Sequence, residues 1–194
     1  MLFHGEFDSE ETELNWTEMG DLSAIWPQCQ ELRRVHLRAG GMAIGPISLP
    51  KCESFEIETG GLDAESLAFI CKAEWPELHT LDLWLGPEGT AESSLAETLH
   101  PLLAGSGVPK LRRLALKNTH AGTEVITLLA ASRLLPQLEV LDVSMSDLDL
   151  DVLREHAAKL SHLQKLILGA DDLEPDELPL TNVVWEDRYG PVYE

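Results

Sequence analysis

Leu111-Arg112-Arg113-Leu114-Ala115-Leu116, Leu138-Glu139-Val140-Leu141-Asp142-Val143 and Leu163-Gln164-Lys165-Leu166-Ile167-Leu168 are one phrase written three times. The phrase is an apolar residue, two spacers, an apolar residue, one spacer and a third apolar residue. It occurs three times more upstream, as Leu32/Val35/Leu37, Cys52/Phe55/Ile57 and Leu78/Leu81/Leu83. The last two anchors of each phrase are two residues apart, which puts them on one face of an extended strand. A single such unit cannot bury its apolar face, so the units must stack on one another. The first anchors are separated by 20, 26, 33, 27 and 25 residues. Such intervals leave room for a helix between successive strands.

L-x-x-L-x-L is the signature of the leucine-rich repeat. The expected fold is therefore α/β: a leucine-rich-repeat solenoid with a curved parallel sheet on the concave face and helices on the convex face. The turn chemistry after each strand is degenerate. Gly40, Gly60, Gly86, Thr119, Ser146 and Asp171 stand where the repeat template places Asn. Helices are predicted over Ala64–Ala73 with Asp63 as cap, from about Ala91 to Leu103, after Thr123, and after Asp149 or Asp151. Gly86–Thr90 reads as a surface loop within an insertion-bearing repeat. One domain is expected over 1–194: an irregular first repeat or cap (1–28), repeats (29–170), and a C-terminal cap and tail (171–194). Leu2–Glu6 reads as the end of another repeat strand, and Asp21–Pro27 as a short helical piece. Asn182–Trp185 reads as a closing strand.

The strings Asp8–Trp16, Glu58–Leu62, Leu81–Gly86 and Arg188-Tyr189…Glu194 resemble an uncharacterised bacterial leucine-rich-repeat family with ribonuclease-inhibitor-like repeats. The resemblance covers most of the chain. Family members tend to be longer at the amino end, by one or more repeats. The resemblance implies the fold and carries no activity with it.

Composition narrows the function. The chain has 194 residues, 44% of them hydrophobic, and carries 34 acidic against 14 basic residues for a net charge of −20. A surface so acidic repels nucleic acid phosphates and anionic membranes. At long range it attracts a basic protein. No signal peptide or 18-residue apolar run is present, so a cytoplasmic protein is expected. Cys29, Cys52 and Cys71 have neither disulfide-framework nor zinc spacing. The seven histidines show no H-E-x-x-H spacing, and no phosphate loop or nucleophile elbow occurs. Asp171–Glu177 is acidic but lacks the calcium-loop pattern. No metal or cofactor is expected.

The residues between the anchors supply the candidate site. They form three columns across the strands: Arg34, Ser54, Thr80, Arg113, Val140, Lys165; then His36, Glu56, Asp82, Ala115, Asp142, Ile167; then Arg38, Glu58, Trp84, Lys117, Ser144, Gly169. Six strands about 4.8 Å apart span on the order of 25 Å. The candidate partner-binding residues are Arg34, His36, Arg38, Glu56, Glu58, Asp82, Trp84, Arg113, Lys117 and Asp142. Two readings are open: a binding face with an exposed Trp84 as anchor, or cross-strand ion pairing with Trp84 packed under the Gly86–Thr90 loop. The leading expectation is a non-enzymatic protein-interaction module. Alternatives are an acidic inhibitor of a basic protein, or an activator of a nucleotide hydrolase presenting Arg34 or Arg38. A monomer is expected, or a weak dimer through an uncapped amino-terminal edge.

Overall fold

The computed structural model describes residues 2–4, 16–86, 94–169 and 178–186. The expectations for Asp8–Glu13, Pro87–Thr90, Asp171–Glu177 and Arg188–Glu194 lie outside the described residues. The strands are β1 (Leu2–His4), β2 (Glu18–Asp21), β3 (Arg34–Arg38), β4 (Gly41–Ala43), β5 (Ser54–Glu58) and β6 (Thr80–Trp84), then β7 (Arg113–Lys117), β8 (Val140–Asp142), β9 (Lys165–Gly169) and β10 (Val183–Glu186). The helices are α1 (Ala64–Lys72), α2 (Leu95–Leu103), α3 (Gly122–Ala130) and α4 (Leu150–Leu160). The fold is mixed α/β.

Eight strands form one sheet in the order β1-β3-β5-β6-β7-β8-β9-β10, and every pairing is parallel. The repeated phrases align without slippage. Val35, Phe55, Leu81, Leu114, Leu141 and Leu166 lie opposite one another in register. Strands β5 to β9 begin with the same backbone contact. Arg33 O accepts from Glu53 N and Ser54 N, Glu53 O from His79 N and Thr80 N, and Arg112 O from Glu139 N and Val140 N. A one-residue slip would turn every anchor to the opposite face, so register and core specify each other.

One core lies on the anchored side of the sheet. It joins Phe55, Leu81, Leu114 and Leu141 to Leu67 and Ile70 of α1, Leu99 of α2, Ile126 and Leu129 of α3, and Leu153 and Leu160 of α4. Each buried Leu contributes roughly 1.5–3 kcal/mol. Aromatic rings fill the layer near β5: Phe55 sits 6.4 Å from Trp26 and 5.1 Å from Trp75, centroid to centroid. Both indoles satisfy their N–H groups, Trp26 on Ile44 O at 2.7 Å and Trp75 on Ile70 O at 3.0 Å.

Helix starts follow the capping chemistry. The Asp63 carboxylate accepts from Ser66 N at 2.8 Å, and Asp149 accepts from Asp151 N. The second helix begins at Leu95, capped by Ser94, and residues 91–93 of its expected span lie outside the described residues. Thr123 falls inside α3 rather than before it. The helix starts at Gly122, where an added Cβ would lie 2.7 Å from Asp147 O.

One local expectation is corrected. The segment Asp21–Pro27 is not one helical piece: Asp21 ends β2, its carboxylate accepts from Ser23 N at 2.8 Å, and a 3-10 turn follows at Trp26–Gln28. That side-chain bond gives the backbone an alternative to a helical turn. The strand β2 itself pairs with β4 in a separate two-stranded parallel sheet.

Candidate functional site

The anchors point into the core, so the spacers between them form the other face of the sheet, away from the helices. Two of the three columns read from the sequence coincide with the register along their whole length, and the third in part. Arg34, Ser54, Thr80, Arg113, Val140 and Lys165 are successive partners, as are His36, Glu56, Asp82, Ala115, Asp142 and Ile167. Arg38 lies opposite Glu58, and Trp84 opposite Lys117.

The candidate charges on this face gather into two clusters. In the first, across β3 and β5, His36 Nε2 is 2.9 Å and Arg38 Nε 3.4 Å from the two oxygens of Glu58. Ser54 Oγ donates to Glu56 Oε1 at 2.6 Å. The His36 hydrogen bond holds the Glu58 carboxyl below its ordinary range, with burial opposing it. The same bond lifts His36 above its ordinary value against burial, and the charges of Glu58, Glu56 and Asp82 add to it. These groups keep about a quarter of their side-chain surface in water.

The second cluster spans β6 to β8. Lys117 Nζ lies 3.1 Å from Asp82 and 5.7 Å from the centroid of the Trp84 ring. Arg113 Nη2 reaches Asp142 at 2.9 Å and Asp82 at 3.8 Å. The Asp142 carboxylate also accepts from Ser144 Oγ at 2.7 Å and Ser144 N at 3.1 Å. Burial pushes the Asp82 carboxyl up, and the Lys117 charge only partly offsets it. The middle column closes towards the C-terminal strands: Asp82 is half-buried, while Ala115, Asp142 and Ile167 are buried.

Two premises of the site fail here. Trp84 is 6% exposed and is no exposed anchor; Lys117 lies directly opposite in register with its ammonium over the ring, and the Pro87–Thr90 part of the loop that the second reading invoked lies outside the described residues. Its Nε1 is buried without a hydrogen-bond partner. Asp142 is 1% exposed rather than presented on an open column: it ends β8, and its carboxylate turns back onto Ser144 while Arg113 reaches it from β7. Arg34 is the one candidate that is both exposed and without an ion pair to the described residues. Ser54, Ser144 and Lys165 complete the face. They stand in the predicted columns, but a polar spacer in a strand gives no sign of whether a carboxylate will seek it.

The remaining groups offer little chemistry. The Cys52 and Cys71 thiols are each pushed up to about 12 by burial, which makes them poor nucleophiles at neutral pH. Among the described residues no cluster of three or more His, Cys, Asp or Glu side chains is placed to hold a metal ion, and no helix is long and apolar enough to cross a membrane. A cavity of about 520 Å³ lies between the ends of α3 and α4, lined by Ala130, Ser132, Leu135, Pro136, Lys159 and His162. Its polar groups already meet backbone carbonyls: Lys159 Nζ donates to Ala130 O at 2.8 Å, and the His162 ring nitrogens lie 2.8 Å from Lys159 O and 3.0 Å from Leu135 O, one of which takes the N–H of a neutral ring.

With this geometry the chain is similar to the crystal structure of an uncharacterised Bacteroides fragilis protein, a structural genomics target. The TM-score is 0.78 at 25% identity, and the match covers 94% of this chain and 56% of that one. What they share is a fold. The chain spans little more than half the length of that protein. No family model matches the chain. No curated protein matches it.

Proposed function

We propose that the chain is a leucine-rich-repeat solenoid that binds a protein partner on the helix-free, concave face of its sheet and catalyses no reaction. The observation that carries this reading is the register: six parallel strands bring their spacer residues, most of them polar, side by side on a face that no helix of the described residues covers. Variable phrase intervals, strands adjacent in chain order and helices confined to the anchored side support the repeat assignment. The sequence resemblance to a bacterial leucine-rich-repeat family supports it too. A surface on the order of 25 Å across suits an extended segment or a protein edge. The reading includes a cytoplasmic protein that is monomeric or weakly dimeric.

A steric block tests the face without altering its charge. In a Cys29→Ser background, Thr80→Cys places a thiol in the first column of β6, and a bulky maleimide there covers the centre of the sheet. Glu124→Cys, exposed on α3, carries the same adduct as control. The expected result is a captured protein that the Thr80 adduct releases and the Glu124 adduct retains. Equal retention by both adducts would overturn the reading.

A further inference from the structure

The sign of the net charge is not the sign of the sheet face. Across β3 and β5 to β9 the outward columns hold five Lys or Arg side chains against four carboxylates, in a chain whose net charge is −20. Every one of those carboxylates already faces a donor. Glu56 takes Ser54, Glu58 takes His36 and Arg38, Asp82 takes Lys117 and Arg113, and Asp142 takes Arg113 and Ser144. Glu56 is met by a hydroxyl and by no cation; the other charges left without an ion pair to the described residues are cationic. Arg34 and Lys165 are exposed and make no ion pair with the described residues.

Their placement is ordered. Arg34, Arg113 and Lys165 belong to one column, at the starts of β3, β7 and β9, with Ser54, Thr80 and Val140 between them and no acid among the six. Five strand-to-strand steps separate Arg34 from Lys165, roughly 24 Å. An extended chain covers that distance in about seven residues. The column is a cationic row that runs across the strands.

Resting on the proposal that the face binds a partner, we infer that this row takes an extended acidic segment of the partner protein, whose carboxylates meet Arg34 and Lys165 with Arg113 between. Such a segment approaches a molecule of like overall sign. At physiological ionic strength, however, the field of distant acids is screened within about 8 Å, so the charges in contact decide the docking. A basic segment would find on this face only carboxylates already engaged by other groups.

Fluorescein-labelled octaglutamate and octalysine, titrated at physiological ionic strength, separate the two signs. The variant is Arg34→Glu/Lys165→Glu, which removes no ion pair seen in the fold; an unchanged melting temperature establishes that it is folded. The expected result is octaglutamate binding about tenfold weaker in the variant, with octalysine binding not weakened. Octaglutamate that binds both proteins equally, or neither, overturns the inference. So does octalysine as the ligand that the Thr80 adduct displaces. A natural partner released by the Thr80 adduct but retained by the charge-reversed variant leaves the interaction face standing and removes only its acidic ligand.

Discussion

Arg38 and Arg113 sit on one face of one sheet, and each holds a carboxylate, but the two carboxylates differ in their access to water. Around Arg38, Glu58 and His36 retain contact with water. Around Arg113, Asp142 is 1% exposed. In the first setting an ion pair competes with hydration and contributes at most about 1 kcal/mol. In the second a carboxylate without its partner would be a buried, uncompensated charge. Identical chemistry therefore adds little stability at one end of the face and becomes a structural requirement at the other.

The largest effect concerns the layer beneath both clusters. Leu114→Asp or Leu141→Asp drives a charge into the fully buried anchor row, at a cost of several kcal/mol. Loss of cooperative unfolding by circular dichroism is expected. A soluble variant melting as wild type does would break the assignment of these residues as anchors of both halves.

Next in size is the contrast between the arginines. Arg113→Ala should destabilise by about 3 kcal/mol in urea titration, since it strands Asp142. Arg38→Ala should cost under about 1 kcal/mol. A following Asp142→Asn change should recover part of the Arg113→Ala loss. Equal costs for the two arginines would mean that both clusters are equally wet.

The smallest effect is a pH dependence, carried in the first cluster by the His36–Glu58 pair. Glu58 is held below its ordinary 4.5, so its contribution is complete above that value and is lost as pH falls through the lowered one. His36 is held above its ordinary 6.5, so its contribution is complete below that value and is lost as pH rises through the raised one. The stability gap between wild type and His36→Gln should therefore be widest between those two values and narrow on either side. A gap that does not vary from pH 4 to 8 would remove the His36–Glu58 bond from the account. Asp82 runs the other way: burial raises its carboxyl, so it weighs against stability as pH rises past the ordinary carboxylate range.

Much of this architecture is legible without coordinates because it is periodic. The two-residue offset within each phrase assigned Val35, Phe55, Leu81 and Leu114 to one face, and the spacers to the other. Asp63, and the pair Asp149 or Asp151, announced their helices because an N-terminal cap is a local bond between a side chain and a backbone N–H two or three residues on; the structure gives the second cap to Asp149. The β2–β4 pair had no such signal. Glu18–Asp21 contains one apolar residue, and its Gly20 at φ +72° interrupts any alternation. Trp84 misled for a related reason. Alternation placed it on the outward face, but the ammonium that lies over its ring belongs to Lys117, 33 positions away in sequence and opposite only after the sheet has formed.

The sequence by itself determined which residues face each other's columns, because the period of a strand and the need to bury every anchor leave one register. The tertiary structure alone decided which charges in those columns remain in water, which are held by a neighbour, and that Arg34 and Lys165 are left over. Burial and ion pairing are relations between strands brought together by folding. A residue type and its position in a phrase carry no record of the side chain that will lie across it.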